Sequence, residues 1–532
     1  MIAAIKKIPL IYRTITYLKA VQLFYQLKYR LFGVTSLSRY YPDPKKEIKF
    51  KPLTFGVKLP DAYYADEQAG FSFLNLKKKF NNGIDWNFQE FGKLWNYNLQ
   101  YFNYLHQPGL NDSLKQGWLK EIGAWLKDGR LKPEPYPISL RAMNVIRYLS
   151  EKELHDIGIV SDIYAQLNYL GENIEYHLLG NHLLENAFAL MMGGRSFENK
   201  RWEEKAKNIL YQQLDEQILK DGGHFELSPM YHQIIFFRML ELIDWYSNSS
   251  NIDVDFLEFV KEKAGKMLSW LQIITFQNGD IPHFNDSANG IACTSAELFI
   301  FAEELELVCK DEISLSESGY RKFKNSKYEC IVDAAPIGAS YQPGHSHADA
   351  LSFILYVDGR PVLTEAGTST YQIGATRDIE RSTSSHNTVD INGVSQSEVW
   401  GGFRVGGRAN VKITTDKNDI FIASHDGYKQ KFNAVHQREF NFGESEVVIK
   451  DSINTSSDIV SSAYFHFHPD CEIVQQDNKN FMINSRHKLS IENADNSELK
   501  KFNYSTGFNQ CRTSVGLAVH FRKHLETCVS FL

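Results

Sequence analysis

No apolar run in the 532-residue chain approaches the roughly 18 residues that a membrane-spanning helix needs. Cysteine is sparse: Cys293, Cys309, Cys330, Cys471, Cys511 and Cys528 are scattered and form no C-x-x-C pair. That spacing implies neither a zinc ribbon nor a disulfide framework, and the thiols are expected to be reduced and buried. Positive charge is not in excess either, since the net charge is −6. Nothing in that balance suggests nucleic-acid binding, and an acidic polymer would have to be held in a local basic cleft. No sequence repeat of fixed period is visible.

One local absence is informative. No acidic residue precedes Asp43, whereas Lys6, Lys7, Arg13, Lys19, Lys28 and Arg30 all fall there among apolar residues at helical spacing. This segment, residues 1–45, also lacks the compact apolar core and small-residue cleavage site of a signal peptide. The expected location is therefore the cytoplasm or the cytoplasmic membrane surface. A basic amphipathic helix of this kind either makes peripheral contact with an anionic membrane, here through residues 1–40, or docks on its own domain. Both readings stay open.

The chain is long enough for two or more domains. Its 43% hydrophobic and 23% charged residues are the balance of a soluble globular protein with large cores. Aromatic content is high at 13%, which suits sugar stacking and large cores equally.

From about residue 85 to 310, segments such as "SLRAMNVIRYLSEKEL", "NHLLENAFALMMGG" and "MYHQIIFFRMLELIDWY" carry apolar residues at i, i+3, i+4 and i+7. Pro, Gly and Asn punctuate the connections. Stacked helical hairpins curving into an incomplete (α/α) toroid are expected over residues 46–315. After residue 316 the period changes. "ALSFILYVDGRPVLTEAG" reads as a hairpin turning at Asp358-Gly359. Similar runs continue to the end, predicting a C-terminal antiparallel β-sandwich over 316–532. A site is expected in the cleft between the two domains.

Three constellations could carry chemistry. In "QPGHSHADALSF", His345, His347 and Asp349 alternate ahead of an apolar run, and on a strand they would share one face. With Glu365 and His386, His347 forms a two-histidine, one-carboxylate set of the kind zinc accepts. A metal-dependent hydrolase, in which metal-bound water attacks the substrate, is one reading of this segment. In "LLGNHLLENAFAL", Asn181 is either the N-cap of a helix or, with His182, a donor aimed at an anion; the cap is the simpler reading. In "GGHFELSPMYHQII", Ser228-Pro229 is a helix start that places Tyr231 and His232 in the first turn. The helix dipole there would ease ionisation of the Tyr231 phenol.

Together with "LWNYNLQYFNYL", "PYPISLRAMNVIRY", "IPHFNDSANG", "TEAGTSTY" and "SSHNTVDINGVSQSE", these stretches resemble, in order, the heparinase II/III-like polysaccharide lyase superfamily. The likeness runs from about residue 90 to 400. It implies an enzyme that cleaves an acidic polysaccharide by β-elimination at a uronic acid. The resemblance gives Asn181, assisted by His182, the task of neutralising the uronate carboxylate. Tyr231 becomes the acid–base group and His345 its partner on the opposite wall. It also implies a structural zinc on His347, Glu365 and His386, although Asp is usual in the superfamily where Glu365 stands. Asp349 is then a supporting residue, and Gly344 must bend the chain so that His345 and His347 can part. The basic N-terminus and the "LWNYNLQYFNYL" style look like the branch associated with bacterial capsule or exopolysaccharide, where a non-catalytic glycan-binding role in assembly is a further reading. Arg377, Arg381, Arg404 and Arg408 are expected to offer some contacts to substrate carboxylates, with His232 beside them. Trp400 and Trp95 are candidate sugar platforms. Oligomeric state is not legible.

Overall fold

The computed structural model describes residues 2–33, 36–43, 48–309 and 314–531 and, of residues 2–7 and 32, the backbone alone. The Lys6 and Lys7 side chains and the boundary drawn after residue 45 lie outside the described residues. Two helices open the chain, α1 (Ile2–Ile15) and α2 (Ala20–Phe32). The helical domain follows with α3 (Lys93–Tyr101), α4 (Asp112–Lys127), α5 (Pro135–Glu151), α6 (Ile157–Glu172), α7 (Gly180–Ser196), α8 (Lys200–Gln217), α9 (Pro229–Ser247), α10 (Val254–Ile274) and α11 (Ser295–Glu304).

Local chemistry sets the helix starts. Asn111, Asp156 and Ser228 accept backbone N–H groups at the heads of α4, α6 and α9. Thr294 and Glu297 form a reciprocal capping box on α11. Pro229 occupies the first position of α9, as its sequence signature predicts. Successive helices pack as neighbours, α7 against α5 and α8, and α9 against α10. Trp86, Trp95, Trp245 and Trp270 are fully buried in the shared core. Trp95 is thus a core residue, and its indole N–H donates to the Leu76 carbonyl at 3.0 Å. That carbonyl belongs to a small hairpin, Gly70–Phe73 with Leu76–Lys79, which helical periodicity gave no reason to expect.

The sandwich begins at Tyr320–Lys324. One layer is an eight-stranded antiparallel sheet running from Val411–Asp416 at one edge to Ile473–Gln475 at the other. Facing it are two four-stranded sheets, joined by an isolated bridge between Leu363 and Phe467. Phe353 meets Phe440 across the layers, with ring centroids 5.5 Å apart. The Phe353–Val357 and Arg360–Leu363 strands form the expected hairpin. Asp358 (φ 50°) and Gly359 (φ 72°) both adopt the left-handed region, which fits a primed two-residue turn. All six cysteines are unpaired, but only Cys330 is buried and Cys511 is exposed.

The loop between α10 and α11 reaches from the helical domain into the sandwich. Asn285, at φ 56°, accepts the His347 backbone N–H at 2.9 Å and donates to the Leu227 carbonyl. Asp286 N–H donates to the His345 carbonyl at 3.0 Å. The domains are therefore stitched together at the histidine segment itself.

Candidate active site and metal cluster

Residues 342–352 are not a strand; the first strand after them starts at Phe353. Alternation is therefore not what separates the two histidines; the chain bends at Gly344 and His345, in a turn closed by the Ser346 N–H donating to the Pro343 carbonyl at 3.2 Å, without left-handed backbone at Gly344. Backbone contacts from outside hold the segment. Arg381 donates from Nε and Nη2 to the Ser346 carbonyl, at 3.1 and 2.8 Å, and Ala348 N–H donates to the Arg381 carbonyl.

The keystone is Asp286, which no sequence motif singled out. It is fully buried, and its carboxylate accepts from Arg377 through both terminal nitrogens, at 2.6 Å from Nη2. It also accepts from His345 Nδ1 and His347 Nε2, each at 2.9 Å. Burial opposes its charge, but Arg377, then His345 and His347, hold the carboxyl well below its usual range. Arg377 and Arg381 are both fully buried. They hold the site together and have no free face for substrate.

With its Nδ1 engaged, His345 turns Nε2 toward the cleft, 3.6 Å from Glu226. Its ring stacks on Tyr231 at 3.9 Å between centroids. The Tyr371 and Tyr231 hydroxyls share a hydrogen bond at 3.3 Å. The helix N-terminus does not ease ionisation of Tyr231. Burial, with Tyr371, Asp286 and Glu226 nearby, raises its pKa well above the ordinary value. Desolvation and neighbouring negative charge outweigh the dipole.

Asn181 is not the helix cap. Leu179 (φ 63°) occupies that place, and Asn181 sits in the first turn of α7 with its amide 3.5 Å from Glu226. Gly180 (φ 58°) takes left-handed backbone, which a side chain would strain, and a Cβ there would also displace the Gln342 side chain. The Asn181 side-chain oxygen is buried without a partner. His182 lies against Tyr136 (4.4 Å) and 3.3 Å from Glu175. Burial opposes its charge, but Glu175 prevails and raises its pKa. The ring stands at a helix N-terminus, where anions are favoured. Burial likewise raises the pKa of Glu226, the second acidic residue that sequence reasoning missed. Tyr136, Tyr371 and Phe403 complete an aromatic lining, with Phe403 39% exposed.

Four predicted contacts lie elsewhere. His232 is one residue past Tyr231 and so faces the helix–helix contact; its Nε2 is 3.0 Å from the Met267 carbonyl, and burial pushes it down to about 3. Trp400 donates to Thr14 of α1 at 3.2 Å. Arg408 lies 3.6 Å over the Tyr17 ring. Arg404 is exposed and covers Trp400. The last three serve the N-terminal helices or the surface.

Beyond Asp286, three buried groups converge. The ligand atoms of His347, Asp349 and His386 lie within 4.8 Å of one another. His347 Nδ1, Asp349 Oδ2 and His386 Nε2 are all buried without a hydrogen-bond partner. Burial pushes His347 down to about 3, so its ring is neutral, the form a metal requires. Asp349 is pushed up to about 6 by burial, and Asp333 is raised as well. A cation would relieve this crowding of carboxyls. Glu365 stands one step back. It accepts from His386 Nδ1 and from Ser352, orienting the ring as second carboxylates commonly do beside metals. The carboxylate within the cluster is thus Asp349, while Glu365 acts through His386. Zinc fits such a donor set.

Two family models match the chain: "Heparinase II/III N-terminus" over residues 147–303 and "Heparinase II/III-like, C-terminal" over 310–532. A "Heparin-sulfate lyase" of Bacteroides stercoris is 25% identical over 249 residues, 41% of this chain and 36% of that protein. One of Pedobacter heparinus is 24% identical over 316 residues, 53% of this chain and 45% of that protein. The matched regions therefore span less than half of these relatives. A heparinase III crystal structure aligns over 96% of this chain and 91% of its own, with TM-score 0.67 and 17% identity. The heparan sulfate lyase of Pedobacter heparinus aligns over 96% and 88%, with TM-score 0.57 and 16% identity. These structures share the fold of helical domain followed by sandwich.

Proposed function

This chain belongs to the heparinase II/III-like family, and on that premise we propose that it is a polysaccharide lyase. It cleaves a uronic-acid-containing anionic polysaccharide by β-elimination, leaving a 4,5-unsaturated uronate. The observation that carries the reading is the stacked Tyr231–His345 pair beside the Asn181–His182 helix start, linked through Glu226.

Removing the C5 proton places negative charge beside an existing carboxylate, so donors on that carboxylate matter most. The Asn181 amide and the adjoining His182 ring supply them, and Glu175 makes that ring the more readily protonated by raising its pKa. His345, held through Nδ1 by Asp286, presents Nε2 as the base for the C5 proton. Tyr231 keeps its proton and delivers it to the departing O4. The aromatic lining of Tyr136, Tyr371 and Phe403 suits pyranose rings.

Zinc bound by His347, Asp349 and His386 would supply structural cross-linking. The cluster is buried and separated from the cleft by Asp286, which favours that role over hydrolytic metal chemistry. Dialysis against a chelator should release about one zinc per chain and lower Tm ahead of any direct effect on turnover. Immediate loss of activity at unchanged Tm would support the hydrolase reading instead.

A heparosan- or heparan-like chain, or an acidic capsular glycan of bacterial origin, is the substrate class we favour. Incubation with a panel of acidic glycans should generate the ultraviolet absorbance of an unsaturated uronate on one of them. Cleaved products lacking it would overturn the lyase assignment. Absence of any cleavage would favour a glycan-binding role in exopolysaccharide assembly. On the substrate identified, Asn181→Ala should lower kcat by about 10²–10³-fold, the usual effect of removing one such donor.

A further inference from the structure

Helices α1 and α2 have two unlike faces. The inner face binds both domains. On the sandwich side, Arg13 pairs with Glu398 through two bonds of 2.8 Å, Thr14 accepts from Trp400, and Tyr17 lies under Arg408. On the helical side, Lys19 pairs with Glu216, Tyr29 donates to the Ile174 carbonyl, and buried Gln22 donates to the Leu178 and Tyr341 carbonyls. Those two carbonyls lie three and four residues before Asn181 and His345.

The outer face is apolar and unpartnered. Ile8, Ile11, Tyr12, Ile15, Leu23, Phe24, Leu27 and Leu31 are all at least 40% exposed, with Phe24 at 63% and Leu31 at 67%. Eight such side chains on two short helices form a patch far from the scattered pattern of an ordinary surface. Lys28, Arg30 and Arg39 are exposed around it and make no ion pair among the described residues. The first 42 residues hold no carboxylate, although the whole chain is net acidic.

We propose that the outer face of the α1–α2 pair docks on an anionic lipid bilayer, lying in its interface. Apolar side chains on a basic, acid-free helix pair match a surface of negative headgroups over hydrocarbon. A second copy of the same face would bring Lys28, Arg30 and Arg39 against their own counterparts and be repelled. No described helix is long and apolar enough to cross a membrane. Because the inner face grips both walls of the cleft, docking would hold the site at a fixed height above the lipid.

The test is flotation of the full chain with vesicles of phosphatidylcholine alone, or with about one third phosphatidylglycerol. Binding is expected only to the anionic vesicles, weakening as salt is raised. A Leu23→Gln, Phe24→Gln, Leu27→Gln variant should fail to float while keeping the parent's Tm and circular dichroism. Lys28→Glu with Arg30→Glu should weaken binding at least tenfold, since each reversed charge removes one attraction and adds one repulsion. Equal binding to neutral vesicles would overturn the proposal, as would binding that the triple variant retains. So would a failure to float, whether the chain is monomeric or forms dimers that the triple variant dissolves; dimers of that kind would assign the face to a second copy.

Discussion

Asp286→Asn should lower kcat by about 10⁴-fold, the effect seen when a buried carboxylate orienting a catalytic histidine becomes an amide. The carboxylate accepts from Arg377, His345 and His347 at once. An amide presents only one acceptor oxygen, and its NH2 group would face donors. His345 would then lose the bond that commits its proton to Nδ1 and frees Nε2. Arg377, fully buried, would lose the one carboxylate that pairs with it among the described residues. Breaking a buried pair in this way destabilises by about 3–5 kcal/mol, so Tm should fall along with turnover. Turnover at saturating substrate, read as unsaturated-uronate absorbance well below the variant's Tm, separates the two effects. A variant that stays folded and within tenfold of the parent in kcat would show that Asp286 does not set the His345 tautomer.

Tyr231→Phe should reduce kcat by about 10²–10⁴-fold, the usual contribution of a positioned proton donor. The ring can keep its 3.9 Å stack on His345, so neither folding nor KM should change by more than a few-fold. Tyr371→Phe provides the contrast. It removes a hydroxyl whose one side-chain hydrogen bond among the described residues is to Tyr231, and should slow turnover far less. Equal losses in the two variants would mean that the pair acts as one relay, and that Tyr231 is not itself the donor to O4.

The sequence made regular elements legible because their causes are local. Ser228-Pro229 starts a helix and Asp358-Gly359 turns a hairpin wherever they occur in a suitable pattern. Strand alternation around His345 was misleading for the complementary reason. Period two has meaning only with a ladder partner, and residues 342–352 are held instead by Asn285, Asp286 and Arg381. Asp286 and Glu226 were hidden because their partners are 45 to 119 residues distant in sequence. Nothing in "IPHFNDSANG" marks one acid as special until the loop reaches the sandwich. Asp349 and Glu365 exchanged places since either carboxylate satisfies the chemistry; only the partnerless oxygen of Asp349 distinguishes them. Trp400 and Arg408 were misread because their true neighbours, Thr14 and Tyr17, lie almost 400 residues upstream.

Asp286 also limits how this protein can be divided. One domain grows the carboxylate and the other grows both histidines that need it. A sandwich excised alone would leave Arg377 without its paired carboxylate, and an excised helical domain would carry a charged loop with no lock. Neither half is a reusable module. A chimera that exchanges one domain for a homologous one therefore has to carry the α10–α11 loop together with the sandwich, making the working seam of the molecule run through a loop and not through the linker.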